Sequence, residues 1–394
     1  MNNMPRMRFK QFNDSWSKNV IKDIFKYDRP DKYIVSNEQY ILNGITPVLT
    51  ANKAFILGYT DEKNTYNEES IIIDDFTLDS KYANFPYMVK SSAIKILTLK
   101  DNNNYNLHFL YYLLNSTQFE LMGHARHYIS YVQPKEIFVP TINEQLKIER
   151  LFSKFDELIE LSDNKLNYLT ELRKTLLEKL YIDDKSNKPE LRFSNFKNEW
   201  HQIPLSVLSK KVLEKNILGE YSETFTNSAE FGIITQRDFF EHDITNNDNI
   251  SNYYVVREND FVYNPRISSF APCGPINRNK LNRVGVMSPL YTVFRFNGVN
   301  NGYLEYYFKS NYWHKFMYFN GDTGARSDRF SIKDDIFFTM PIPLPEEKEQ
   351  EEIYKLLNKI DIVINNQKNK LEKLNNIRNT LLEKMFVWKG DINV

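Results

Sequence analysis

Apolar residues recur every three or four positions through residues 143–181: Ile148, Leu151, Phe152, Phe155, Leu158, Ile159, Leu166, Leu169, Leu172, Leu176 and Leu180. This spacing puts them on one face of a long helix. The same period returns at Ile353, Leu356, Leu357, Ile360, Val363, Ile364, Leu371, Leu374, Ile377, Leu381 and Met385. Thr141 and Glu144 form a T-x-x-E capping-box pattern before the first stretch. Pro345, followed by Glu346, Glu347 and Glu349, suits the positive N-terminal end of the second. A helix of about 38 residues spans roughly 57 Å at 1.5 Å per residue. Neither can bury its stripe alone, so the pattern predicts that the two pack together as an antiparallel coiled coil. Both stripes break, near Ser162/Lys165 and near Gln367/Lys370. In an antiparallel pair the midpoints face each other, which predicts Ser162 near Gln367 as a polar layer that sets register. The plainer alternative is a solvated stutter in an imperfect heptad.

Outside these stretches the pattern shortens. Ile71–Ile73, Ala93–Leu97 and Tyr291–Phe296 read as strands, Leu107–Leu114 and Tyr303–Phe308 as helices. Asn102–Asn104 and Asn246–Asn249 read as loops. The expected fold is mixed α/β of the α+β class: two globular modules joined by two long helices with pseudo-twofold symmetry. The boundaries are 1–140 for the first module, 141–182 for the first helix, 183–188 for a polar linker, 189–344 for the second module and 345–394 for the second helix.

The chain also repeats itself. Pro5, Arg8, Phe9, Phe12 and Trp16 return as Pro189, Arg192, Phe193, Phe196 and Trp200, a shift of 189 − 5 = 184. Pro140, Glu144 and Gln145 return as Pro345, Glu349 and Gln350, and Leu172–Lys179 returns as Ile377–Lys384, both with a shift of 345 − 140 = 205. Self-similarity at fixed spacing marks duplicated units. The lengths between the repeated pieces differ, 124 residues from Trp16 to Pro140 against 145 from Trp200 to Pro345. A shared frame carrying unlike inserts predicts two different recognition tasks.

At 394 residues the chain is long for one domain, which agrees with two modules. Its single cysteine, Cys273, excludes an internal disulfide framework and fits a reducing compartment. The opening MNNMPRMRFK has no apolar core of a secretory signal, and no run approaches a membrane span, so a cytoplasmic protein is expected. Lys plus Arg and Asp plus Glu both number 51. A dedicated nucleic-acid-binding domain is usually basic. If DNA binds, the cations must be sorted onto one face, or partners must supply charge.

The candidate chemistry lies in two Gly-started basic loops that close the modules: Gly123-His124-Ala125-Arg126-His127 and Gly324-Ala325-Arg326-Ser327-Asp328-Arg329. Arginine can bond guanine with two parallel hydrogen bonds or clamp a phosphate. Lys53, Lys90, Arg237, Arg266 and Arg278 are further candidates for DNA contact. His124 and His127 stand three apart, with no third ligand motif to make a zinc site. Neither a phosphate-binding Walker loop nor a dinucleotide-binding glycine fingerprint occurs, and no Asn/Asp-Pro-Pro-aromatic methyltransferase motif does. Asp74, Asp75, Asp79 and Lys81 superficially suggest a metal-dependent nuclease. The cluster has no counterpart in the second module and reads better as a strand end and turn.

The Pro…Glu-Gln boundary before a long helix, the Leu-Arg-x-x-Leu-Leu-Glu-Lys ending, the Arg-Phe…Phe…Trp opening and the duplication together resemble the specificity subunits of type I restriction-modification systems. Phe261–Arg266 and Met287–Tyr291 resemble elements of that family's target recognition domains. The resemblance covers essentially the whole chain. It implies two target recognition domains, each reading half of a split, asymmetric double-stranded DNA site, with the helices as a ruler fixing the spacer. It implies that two methyltransferase subunits dock on the helices, with Leu158, Leu166, Leu169, Leu176, Val363, Leu371, Leu374 and Leu381 as interface positions, and that restriction subunits join them. It further implies no catalysis and no cofactor in this chain, with S-adenosylmethionine, ATP and Mg²⁺ serving the partners. A coiled-coil scaffold that binds only protein is the alternative from another class. It explains the helices and the neutral charge but not the paired modules.

Overall fold

The computed structural model describes residues 4–387 except 38, 42, 53, 118, 120–125, 184, 240–246 and 324–327. Helix α1 runs Leu107–Ser116, α2 Ile142–Lys179, α3 Asn301–Lys309 and α4 Glu347–Met385. The two amphipathic stretches are therefore unbroken helices of 38 and 39 residues. The chain forms two compact units, residues 1–164 with 369–394, and residues 165–368. Each long helix gives one half to each unit. Ser162 and Gln367 are both buried, and they belong to different units.

In the first unit the strands are β1 Ser17–Val20, β2 Phe25–Asp28, β3 Thr46–Leu49, β4 Ile56–Thr60, β5 Ser70–Asp74, β6 Ser80–Ala83, β7 Met88–Val89, β8 Ile94–Leu99 and β9 Glu136–Val139. A four-stranded antiparallel sheet runs in the order β2-β8-β5-β6. The central strand β5 is buried along its whole length, which explains its unbroken Ile-Ile-Ile run. A second sheet, β4-β3-β7, carries the remaining core of the insert. Asn106 caps α1, its side chain accepting from Phe109 N at 2.7 Å. The first half of α2 buries Ile148 and Phe152 against Met385 and Phe386 at the end of α4.

In the second unit the strands are β10 His201–Pro204, β11 Ser209–Lys211, β12 Phe225–Ser228, β13 Gly232–Thr235, β14 Tyr254–Val256, β15 Phe261–Tyr263, β16 Ile276–Arg278, β17 Gly285–Met287, β18 Thr292–Phe296 and β19 Pro341–Leu344. Its four-stranded sheet, β11-β18-β15-β16, repeats the connectivity of the first. The inserts that diverge in sequence thus share a sheet. They differ in what is added to it: a three-stranded sheet in one, the pairs β12-β13 and β14-β17 in the other. Asn300 caps α3 as Asn106 caps α1. The second half of α2 packs Leu176 and Leu177 with Ile353 and Leu357 from the first half of α4. In both units the halves of α2 and α4 run antiparallel.

The repeated motifs build the same frame twice. Glu144 is expected to close a capping box on Thr141, but its buried carboxylate instead receives Arg8 on both oxygens, at 2.7 Å each. Glu349 receives Arg192 in the same way at 2.7 and 2.8 Å, and the Trp200 indole at 3.2 Å. A fork-to-fork pair with both acceptor oxygens filled satisfies a buried charge that would otherwise be costly. The adjacent glutamines act alike: Gln145 accepts from Asn106 N and donates to Pro140 O, while Gln350 accepts from Asn300 N and donates to Pro345 O. Trp16 packs on Phe109 and Phe386, and Trp200 on Tyr303 and Tyr181. The conserved spacing inside this chain is therefore the spacing of one clamp made twice.

Candidate nucleic-acid interface

In the first unit β5 ends at Asp74, whose carboxylate accepts from Phe76 N and Thr77 N, both at 2.9 Å. Leu78 closes this turn in the left-handed region, φ 61. Asp75 faces inward, 2% exposed. One oxygen lies 3.0 Å from Lys95 Nζ, the other accepts from Tyr128 N at 2.8 Å, and its carbonyl accepts from His127 N at 2.8 Å. The β5–β6 turn is thereby tied to the segment that leads into β9. Arg126, in that segment, stays 56% exposed, 4.0 Å from Asp75 and with its guanidinium 5.9 Å from the Phe76 ring. A cleft of about 230 Å³ beside it brings Arg29, Lys95 and Arg126 together with Asp31, Asp75 and Ile129. The proposed nuclease carboxylates are thus engaged in the turn and its ion pair, and the described residues contain no cluster of potential metal ligands.

In the second unit the equivalent β15–β16 connection is longer, residues 264–275. Gly274 adopts φ +82, and a Cβ there would stand 2.0 Å from Asn264 O, so only glycine fits. Ser268 and Ala271 form a tight turn with Phe270 exposed at its tip. This connection is also tied to the segment before the last strand: Arg266 bridges Arg329, Ile267 N donates to Asp328 O at 3.0 Å, and Phe330 N donates to Pro265 O at 2.7 Å. Arg266 and Arg329 are both exposed. A cleft of about 640 Å³ carries Arg266, Asn264, Gln236 and Tyr291, with the exposed rings of Phe231, Phe239 and Phe270.

Residues 13–171 match the family model described as type I restriction modification DNA specificity domain. That stretch, 159 of the 394 residues, is similar to the type I specificity domain. A 149-residue stretch is 38% identical to the EcoR124I/EcoR124II specificity subunit of Escherichia coli, covering 34% of this chain and 37% of that one. The chain therefore matches well under half the length of that relative. The solved type I S subunit from M. genitalium is 17% identical, with a TM-score of 0.62 over 98% of this chain and 99% of that one, which shows a shared fold.

The residues expected to face DNA fall into distinct places. Arg126, Arg237, Arg266 and Arg329 are exposed, and Lys90 is half-buried. Lys53, His124 and Arg326 lie outside the described residues. Two expectations are corrected by burial. His127 is 3% exposed with its ring edge-on to Tyr131. Arg278 turns inward, 2.7 Å from Glu305. Glu305 also takes Lys280 at 2.7 Å and Lys309 at 2.9 Å. Burial works to raise its carboxyl, but Lys309 and Lys280 overcome that and hold it at about 2. Of the helix positions expected at a subunit interface, Leu176 and Leu381 are each taken up by the core of their own unit. Leu166, Leu169, Leu371 and Leu374 are half-buried. Leu158 and Val363, equivalents under the 205 shift, remain exposed. Sequence reasoning missed Phe76, Phe231 and Phe270, because single aromatics in loops carry no periodic signal.

Proposed function

We propose that this chain is a non-catalytic DNA-reading subunit, in which each unit reads one half of an asymmetric, bipartite double-stranded site. The observation that carries the reading is the recurrence of one arrangement. In both units exposed arginine stands where the connection after the central sheet strand is tied to the segment before the last strand, as Arg126 beside Asp75 and as Arg266 against Arg329. Exposed arginine on a fixed backbone is suited to guanine edges and phosphates. The different loops around the two copies suit two different half-sites. The resemblance to type I specificity subunits suggests the partners: methyltransferase subunits, which would dock on exposed helix positions such as Leu158 and Val363, and restriction subunits. S-adenosylmethionine, ATP and Mg²⁺ then belong to those partners, and shared phosphate contacts offset the zero net charge of this chain. The cytoplasm is the compartment this role requires.

The test is selection from a random duplex pool by the chain assembled with its methyltransferase subunits. Enrichment of two unlike short sequences at a fixed separation is expected. Retention of DNA with no enriched sequence would remove the reading role and favour a scaffold.

A further inference from the structure

We infer that Phe76 and Phe270 are base-contacting residues, one for each half-site; the inference rests on the DNA-reading function proposed above. The two sheets are topologically equivalent, so the β5–β6 turn and the β15–β16 connection occupy the same place in their units. Each carries a phenylalanine that its unit leaves in solvent, Phe76 at 41% and Phe270 at 73% exposure. Both rings stand among the exposed large hydrophobics rather than in the buried core. Both backbones are nevertheless tightly held. Asp74 fixes Phe76 N and Thr77 N, and both the backbone carbonyl and the hydroxyl of Ser268 accept from Ala271 N. A rigid turn that presents an aromatic ring outward loses little further entropy when that ring is covered.

The neighbours define what covers it. Phe76 lies beside the Arg126 guanidinium. Phe270 shares its cleft with Arg266, whose backbone pairs with that of Arg329. A cation next to an apolar ring fits a duplex, where the arginine meets phosphate or guanine and the ring meets a thymine methyl or wedges at a base step. An apolar protein surface laid over these rings would instead desolvate the exposed guanidiniums beside them. Phosphate contacts carry the salt dependence of binding, and apolar base contacts do not.

The test uses the chain assembled with its methyltransferase subunits, comparing the wild type with Phe76→Ala and Phe270→Ala. Methylation is scored on sites mutated in one half at a time, and binding is measured across a salt series. Each variant is expected to lose roughly tenfold discrimination in one half-site only, a different half for each, with the salt slope unchanged. Phe76→Leu and Phe270→Leu, which keep an apolar group, should retain part of it. Normal discrimination in both alanine variants overturns the inference, as does equal loss in both halves. If the wild type itself shows no sequence preference, the DNA-reading function fails instead, and the two failures are distinct.

Discussion

Arg378 donates to Asp156 at 2.6 Å, although 222 residues separate them. Arg173 makes the same bond to Asp361 in the other unit. The pairs are equivalents in the repeat, since 361 − 156 = 378 − 173 = 205. Each aspartate also receives a tyrosine hydroxyl from the neighbouring short helix, Tyr112 at 2.6 Å and Tyr306 at 2.7 Å. One charged bolt therefore sets the same antiparallel register in both units. A double-mutant cycle on Asp156→Ala and Arg378→Ala should give a coupling of about 1 kcal/mol in urea unfolding. The pair Asp156 and Arg173, roughly 25 Å apart along one helix at 1.5 Å per residue, should give none. Zero coupling between Asp156 and Arg378 would contradict the register.

The clamp between Arg192 and Glu349 is more deeply buried, with 14% and 1% of the side chains exposed. Arg192→Ala leaves the Glu349 carboxylate without its cation, and the expected cost is about 3–5 kcal/mol. Arg192→Lys should restore only part, because an ammonium cannot fill both oxygens in one plane. Lys18→Ala, which removes an exposed partner of Glu136, should cost under about 1 kcal/mol. Urea midpoints compare the three; equal effects for Arg192→Ala and Lys18→Ala would refute the clamp.

Glu305 gives the second unit a defined acid sensitivity. Its folded value, about 2, lies below the ordinary 4.5. A carboxyl depressed by folding stabilises the fold fully above its unfolded value and loses that contribution as pH falls through the folded one. The window is therefore pH 4.5 down to 2, and the contribution is on the order of 3 kcal/mol. The stability difference between the wild type and Glu305→Gln should shrink across that window. A difference that stays constant from pH 5 to 2 would contradict the three-cation site.

Gly274→Ala tests the rigidity of the β15–β16 connection. The left-handed backbone costs a non-glycine residue roughly 1–2 kcal/mol, and the close approach to Asn264 O adds to it. Thermal unfolding should fall by several degrees, with reading impaired only in the half-site served by the second unit. Wild-type stability and discrimination would show that the connection adjusts freely.

Much of the frame is legible in the sequence because it is written twice. The helix stripes, the shifts of 184 and 205 and the residues of the clamp all stand out. Their partnership does not. Arg8 and Glu144 are 136 residues apart, and Glu144 read locally looks like a helix cap. The common four-stranded sheet was hidden because its strands are short and the loops between them differ in length. Arg278 and His127 show the limit at the site. Their sequence context is that of exposed loop cations, and only the inward-facing Glu305 and the turn held by Asp75 decide that they are buried. Arg126, Arg266 and Arg329 are legible as candidates, but that Arg266 meets Arg329 follows from strand pairing across a long loop.

The central claim is that each unit reads its own half of a divided site. Mapping methylated adenines on genomic DNA treated with the assembled methyltransferase complex tests it most directly, with the wild type, Arg126→Ala and Arg329→Ala compared. The account predicts two unlike sequence elements at a fixed separation, with Arg126→Ala relaxing one and Arg329→Ala the other, each by about 1–3 kcal/mol. A single continuous sequence, or relaxation of the same element by both variants, would contradict it.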